Sequence, residues 1–441
     1  MAVTEERVVE TQSWAQRLGS SFKGVLAGLA LFIAGFPILF YNEGRAVDTA
    51  KRLKEGAGAV VDVSAEKVDA ENEGKLVHVS GKADTKDVLS DEAFGVSATA
   101  LRLMRTVEIY QTVEHAETKR EKRGDKTIEK TTYTYSNEWC DKPVDSSQYH
   151  DASKRAANPP AAMPFSNADR FAANVTLGAF TLSEAHVKRM GEKKPFAFPV
   201  DFKPPASVPG AQYQNGIIYV PYNAAPAAAP VPAPASTASG VSPLLAAAQA
   251  ATNVATAVAN AAATALVGGH SVAMAPVPGD VRVTFKVVLP HDVTVVERQD
   301  GNTLSPWAAS DGETLSFVRD GRVPAAKIFA DAQSMNSKLT WLLRLVGLLV
   351  MYFGLKAVLG PIDTLVDVIP ILNGIVAAGT SLVAGLVSGA CALITIGIAW
   401  IYYRPLIGIP LVVGGVALFV MAYLKKKKAA AGVVPAARAT M

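Results

Sequence analysis

The residues able to do chemistry are spread thinly along this chain. Six histidines, His78, His115, His150, His186, His270 and His291, are dispersed, without the short spacings that gather metal ligands. Cys140 lies in a polar stretch and Cys391 in an apolar one, so neither a C-x-x-C site nor a disulfide framework is expected. No Walker-type phosphate loop, G-x-G-x-x-G, H-E-x-x-H or G-x-S-x-G occurs. Carboxylates are too numerous to nominate a catalytic pair, and Asp91-Glu92 reads as a helix start. The expectation is a non-enzymatic protein with no catalytic residue, no metal and no cofactor. With a net charge of +4 and no basic stripe interleaved with aromatics, nucleic acid is not an expected partner.

The elements that would position any site are dominated by apolar runs. Half of the 441 residues are hydrophobic and 19% are charged, against about a quarter in ordinary soluble chains. That excess sits at 24–41 and again toward the C-terminus. Residues 24–41 have the length of a membrane span, about 18 residues, with Pro37 tolerable inside it. Further spans are expected at 338–360, 381–403 and 405–424, with a cytoplasmic or interfacial segment at 361–380. Arg344 falls about one turn inside the second span, where a long side chain can snorkel to the interface. Trp400, Tyr402, Tyr403 and Tyr423 sit at span ends as an aromatic belt requires.

Four crossings place both termini on one side. Lys425, Lys426, Lys427 and Lys428 assign that side to the cytoplasm, although the basic residues flanking the first span are balanced slightly the other way. The expected order is a cytoplasmic segment at 1–23, an extracytoplasmic domain at 42–337 and a cytoplasmic basic tail at 425–441. The lipid bilayer is thus an obligatory partner.

Residues 42–56 carry apolar positions at helical spacing and should prolong the first span outward. Strand patterns follow at 75–81, 106–114, 127–139, 280–289, 291–298 and 314–319. The runs at 106–114 and 127–139 alternate on either side of Gly124-Asp125 and predict a long hairpin. Helices are expected at 92–104 and at 325–337, the latter feeding the second span. The fold class is therefore a multi-pass α-helical membrane protein, with four spans and a large β-rich α+β extramembrane domain. An alanine- and proline-rich insertion at 223–278 stands apart as low-complexity sequence.

Within the spans, Ser381, Gly385 and Gly389 recur every fourth residue, the small-residue pattern that lets membrane helices approach closely, and Gly414-Gly415 offers a second such place. This seam serves helix packing within the chain or a homo-oligomer. No span carries an ionisable residue near its middle, which disfavours a pore. The leading expectation is a self-associating membrane scaffold that organises membrane protein complexes or envelope structure. The alternatives are a channel or transporter built from the clustered C-terminal spans and an enzyme with its site in the extramembrane domain.

The segments Asn42-Glu43-Gly44-Arg45-Ala46-Val47, NEGKLVHVSG at 72–81, VEIYQTVE at 107–114, YTYSNEW at 133–139, LGAFTLS at 177–183 and GDVRV at 279–283 together resemble the transmembrane protein 43 family, also called LUMA. Their order along the chain carries the likeness. The alanine and proline insertion departs from it. The resemblance implies a multi-pass protein that self-associates through its spans, with its large domain in the lumen of an endomembrane or in the periplasm at a bacterial inner membrane. Eukaryotic members look like organisers of membrane protein complexes, so other membrane proteins are implied partners. The resemblance carries over no catalytic residue, and the heavy use of alanine points to a bacterial source.

Overall fold

Two unbroken helices join the apolar segments to the polar body. The computed structural model describes residues 3–11, 14–123, 126–159, 163–222, 275–366 and 370–410, with 413–414, 420–421 and 424. Helix α1 runs over Trp14–Ala59, through Pro37, and its 46 residues extend about 69 Å at 1.5 Å per residue. That is more than twice the roughly 30 Å of a hydrocarbon core, so the helix continues far into the body, as the apolar spacing in 42–56 predicts. A short helix α2, Glu184–Arg189, lies inside the body. Helices α3, Ala325–Val358, α4, Gly360–Val366, and α5, Pro370–Tyr403, follow.

Among the described residues three helical stretches, Gly24–Ala59, Ala325–Val358 and Val376–Tyr403, are long and apolar enough to cross a membrane. The fourth span expected at 405–424 is helical at 405–410, and most of the remainder lies outside the described residues, as do Gly415, Lys425–Lys428 and 223–274 of the insertion. The segment expected to be cytoplasmic or interfacial, 361–380, holds most of α4 and the first turns of α5. Pro370 opens α5, where its fixed φ and missing N–H suit a first helical turn.

The body is built on two sheets. An eight-stranded sheet is organised by the hairpin Arg102–Arg123 and Lys126–Cys140, paired in register from Ile109 and Cys140 to Arg123 and Lys126. Val281–Val288 lies antiparallel to its first strand. A seven-stranded sheet pairs Leu76–Asp84 with His291–Asp300. Alternation puts Val77, Val79, Val293 and Val295 in one buried cluster, and Val107, Ile109, Val281, Val283 and Phe285 in the other. The helix expected at 92–104 is absent: Val96–Thr99 and the start of the long strand occupy it. Asp91 ends a strand rather than starting a helix. It is buried, with Arg105 Nη1 donating at 2.7 Å to each carboxylate oxygen, and Gly95 turns the chain with φ +64°.

A third cluster fastens the helices to the second sheet. Leu53 of α1 and Ile328 and Phe329 of α3 bury against Leu76, Val296 and Leu315. At Gly56 a Cβ would stand 2.5 Å from Leu315 Cδ1 and 3.0 Å from Phe329 Cε1, so the close seating of α1 requires glycine there.

Beside this cluster Glu297 is buried in the second sheet, with His186 Nε2 2.8 Å away and Ser316 Oγ and Arg189 also bonded to it. The backbone N–H of Ser183 donates to His186 Nδ1 at 2.9 Å, which leaves Nε2 to carry the proton toward Glu297. Burial alone would raise the Glu297 pKa, but hydrogen bonds from His186 and Ser316 and the nearby positive charge outweigh it and hold the carboxyl below 4.5. A carboxyl depressed in the folded state stabilises fully above its unfolded pKa and loses that contribution as pH falls through its folded value. Glu297→Gln should therefore destabilise the body at neutral pH by about 1–3 kcal/mol and flatten the acid side of its stability curve. Thermal melts at a series of pH values check this; an acid limb as steep as in the parent protein would refute it.

Val3–Thr11 pairs antiparallel with Lys126–Cys140. Such a pairing and a crossing at 24–41 exclude each other in a bilayer, because one span puts the two strands on opposite sides and a charged hairpin cannot lie in hydrocarbon. The uncharged run at 24–41 favours the crossing.

Candidate functional site

α1 and α3 are antiparallel, and glycines set how closely they approach. A Cβ on Gly28 would lie 2.6 Å from Gly354 O, and one on Gly354 would lie 2.5 Å from Phe32 N and 2.7 Å from Gly28 O. Higher in the pair, Gly347 admits Leu39 and Gly35 admits Met351. Leu39, Met351 and Ala392 of α5 form the buried apolar centre of the three-helix unit. Around it, Leu26, Ile33, Leu345, Phe353, Leu386 and Leu393 are more than half exposed. An apolar surface that surrounds a helix bundle matches a lipid environment and would be untenable in water.

Where the same helices leave the apolar zone, the packing becomes polar. Glu43 is fully buried and receives Arg344 Nε at 2.6 Å and Nη2 at 2.9 Å, a bidentate pair. Trp400 of α5 donates its indole N–H to the same carboxylate at 2.9 Å. One carboxylate thereby joins three helices. The Arg344 guanidinium lies 4.6 Å from the Trp341 ring and 5.7 Å from the Trp400 ring, where cation–π attraction adds to the pair.

The neighbours of Glu43 extend the network. Asn42 Nδ2 donates to Thr340 O at 3.1 Å, and Arg45 donates to Asn336 Oδ1 and Thr340 Oγ1, both at 3.1 Å. Asn336 Nδ2 returns a bond to Ala46 O at 2.9 Å. Gly44 is the contact point for α5: a Cβ there would lie 2.6–2.8 Å from the Tyr403 ring. All four residues at 42–45 are thus occupied in holding α1 to α3 and α5. Arg344 does not snorkel as expected; a buried carboxylate opposite it is the better partner, since an ion near hydrocarbon is stable only when paired.

A second polar cluster closes the far end. Lys356 Nζ reaches Asp363 Oδ2 at 2.9 Å and Thr380 Oγ1 at 2.6 Å, tying α3 to α4 and α5. Arg344 and Lys356 are 12 residues apart on α3, about 18 Å, less than a hydrocarbon core is thick, so at least one of the two charges stands against the hydrocarbon, and each has an internal partner.

The small-residue row on α5 takes a different place from the glycines that set the helix spacing. Ser381 Oγ donates to Ala377 O, a Cβ on Gly385 would come within 3.9 Å of Tyr352, and Gly389 and Gly414 face open space. The fully packed face of α5 carries Ala384, Ser388, Ala392, Thr395 and Ala399. Between Arg344 and Arg404 a cleft of about 200 Å³ opens at the level of the polar network. In the body, His78 bonds Asp62 and the Val323 carbonyl, and His291 bonds Asp320, each within the fold. Among the described residues no group of metal-ligating side chains converges.

Comparison with known proteins places this architecture. The sequence profile described as transmembrane protein 43 matches residues 109–405. The chain is similar to transmembrane protein 43 of Rattus norvegicus, 30% identical over 89% of this chain and 87% of that protein. It is 29% identical to the Homo sapiens protein over 91% of this chain and 90% of that one, and 26% identical to the Drosophila melanogaster homolog over 92% and 96%. No solved structure matches.

Proposed function

This chain belongs to the transmembrane protein 43 family, and from that premise we propose that it is a non-enzymatic membrane scaffold whose spans self-associate and whose β-rich body is presented outside the cytoplasm. The body then lies in the periplasm of a bacterium or in the lumen of an endomembrane. The observation that carries the reading is the continuity of α1 and α3, which run from the apolar zone into the core of the body with no linker between. A helix pair locked at Glu43 and Arg344 fixes the body relative to the membrane, which a platform for other membrane proteins requires and a tethered soluble domain does not. The packed apolar centre at Leu39, Met351 and Ala392 favours this over a pore within one chain.

Self-association is assigned to the α5 flank that holds Gly385 and Gly389, where small residues leave room for a second helix. Gly389→Leu fills open space and should leave the single chain folded while lowering the oligomer fraction. Mass photometry in a mild detergent, supported by cross-linking in native membranes, reads both. A parent protein that is monomeric in both assays would overturn the scaffold reading, and an oligomer indifferent to Gly389→Leu would overturn the assigned surface.

A further inference from the structure

We propose that the cleft beside the polar network binds the phosphate of an anionic lipid headgroup. Charge is the first ground. Arg344 and Arg404 line the cleft, Arg45 is bonded in the network beside it, and among the described residues the one carboxylate bonded within that network, Glu43, is saturated by Arg344 and Trp400. Arg45 bonds neutral acceptors alone, and its Nε is buried without a partner. The Arg404 guanidinium and Arg344 Nη1 have no acceptor among the described residues. The carboxyl end of α5 offsets about half an elementary charge, so the site remains cationic.

Shape and place are the second ground. Arg344 and Arg404 line the same cleft, with Ser337 and Gln333 as exposed hydroxyl and amide donors and Trp341 and Trp400 as aromatic walls. The cleft lies where α3 passes from the polar body to lipid-facing Leu342 and Leu345, both more than half exposed, which is the headgroup level of a bilayer. Guanidinium groups hold phosphate oxygens through paired N–H donors, so two arginines with free donors at that depth suit a phosphoester. A phosphate arriving from lipid brings acyl chains along the exposed apolar surface of α3; inorganic phosphate brings none.

The full-length protein in a mild detergent, titrated with phosphatidylglycerol and separately with inorganic phosphate and followed by native mass spectrometry, tests this independently of self-association, because the same spectra resolve the oligomeric state. One phosphatidylglycerol per chain should bind, and Arg404→Ala should weaken it about tenfold while the melting temperature stays that of the parent. Ser337→Glu, an exposed change that makes no demand on the network, should abolish the bound lipid by repulsion. Binding that survives both substitutions would overturn the site. Inorganic phosphate that binds as tightly as the lipid, and displaces it, would overturn the lipid assignment.

Discussion

Arg344→Met should unfold the membrane end of the protein, at a cost of about 3–5 kcal/mol, because it strands a fully buried carboxylate. Glu43 would retain one donor, the Trp400 indole, where it now has three. Lysine at 344 restores the charge but neither the two-pronged contact nor the stacking on Trp341, and should recover part of the loss. Melting in detergent with tryptophan fluorescence gives the readout, since Trp341 and Trp400 flank the pair. A variant that melts with the parent would mean that Glu43 finds water or another donor.

Gly354→Ala is expected to force α1 and α3 apart. The added Cβ meets Phe32 N and Gly28 O, and backbone atoms cannot turn aside as a side chain can. Overpacking of this kind costs about 1–3 kcal/mol, and leucine at the same place should exceed that range. Gly379→Ala is the control: nothing lies within 4 Å of its Cβ, and alanine favours helix by up to about 1 kcal/mol. Limited proteolysis in membranes should cut the Gly354 variants faster than the parent and leave the Gly379 variant unchanged. Equal rates for all three would refute the close approach of the two helices.

The parts of this structure that depend on local pattern are legible in the sequence. Strict alternation marks the long hairpin, and the apolar spacing at 42–56 marks the outward run of α1. The segment at 92–104 misleads because its alanines, leucines and methionine favour helix, while the left-handed turn at Gly95 and the pairing of Arg102 with Val288 impose strand. The glycines that bring α1 to α3 are paired across two spans more than 300 residues apart, so the G-x-x-x-G-like row on α5 is easier to see. For the same reason Asn42–Arg45 stands out as a motif before its chemistry does. A glutamate just past the first span and an arginine one turn inside the second are each unremarkable alone. Only the antiparallel register of α1 and α3 makes them one site.

The account rests on Glu43 and Arg344 acting as a single unit that holds three helices, and a double-mutant cycle measures that directly. Glu43→Gln, Arg344→Met and the double variant would be melted in the same detergent. With the pair coupled, the double variant should lose about 1–3 kcal/mol less than the sum of the two single losses. Losses that simply add would show that the two side chains act separately and would contradict the account.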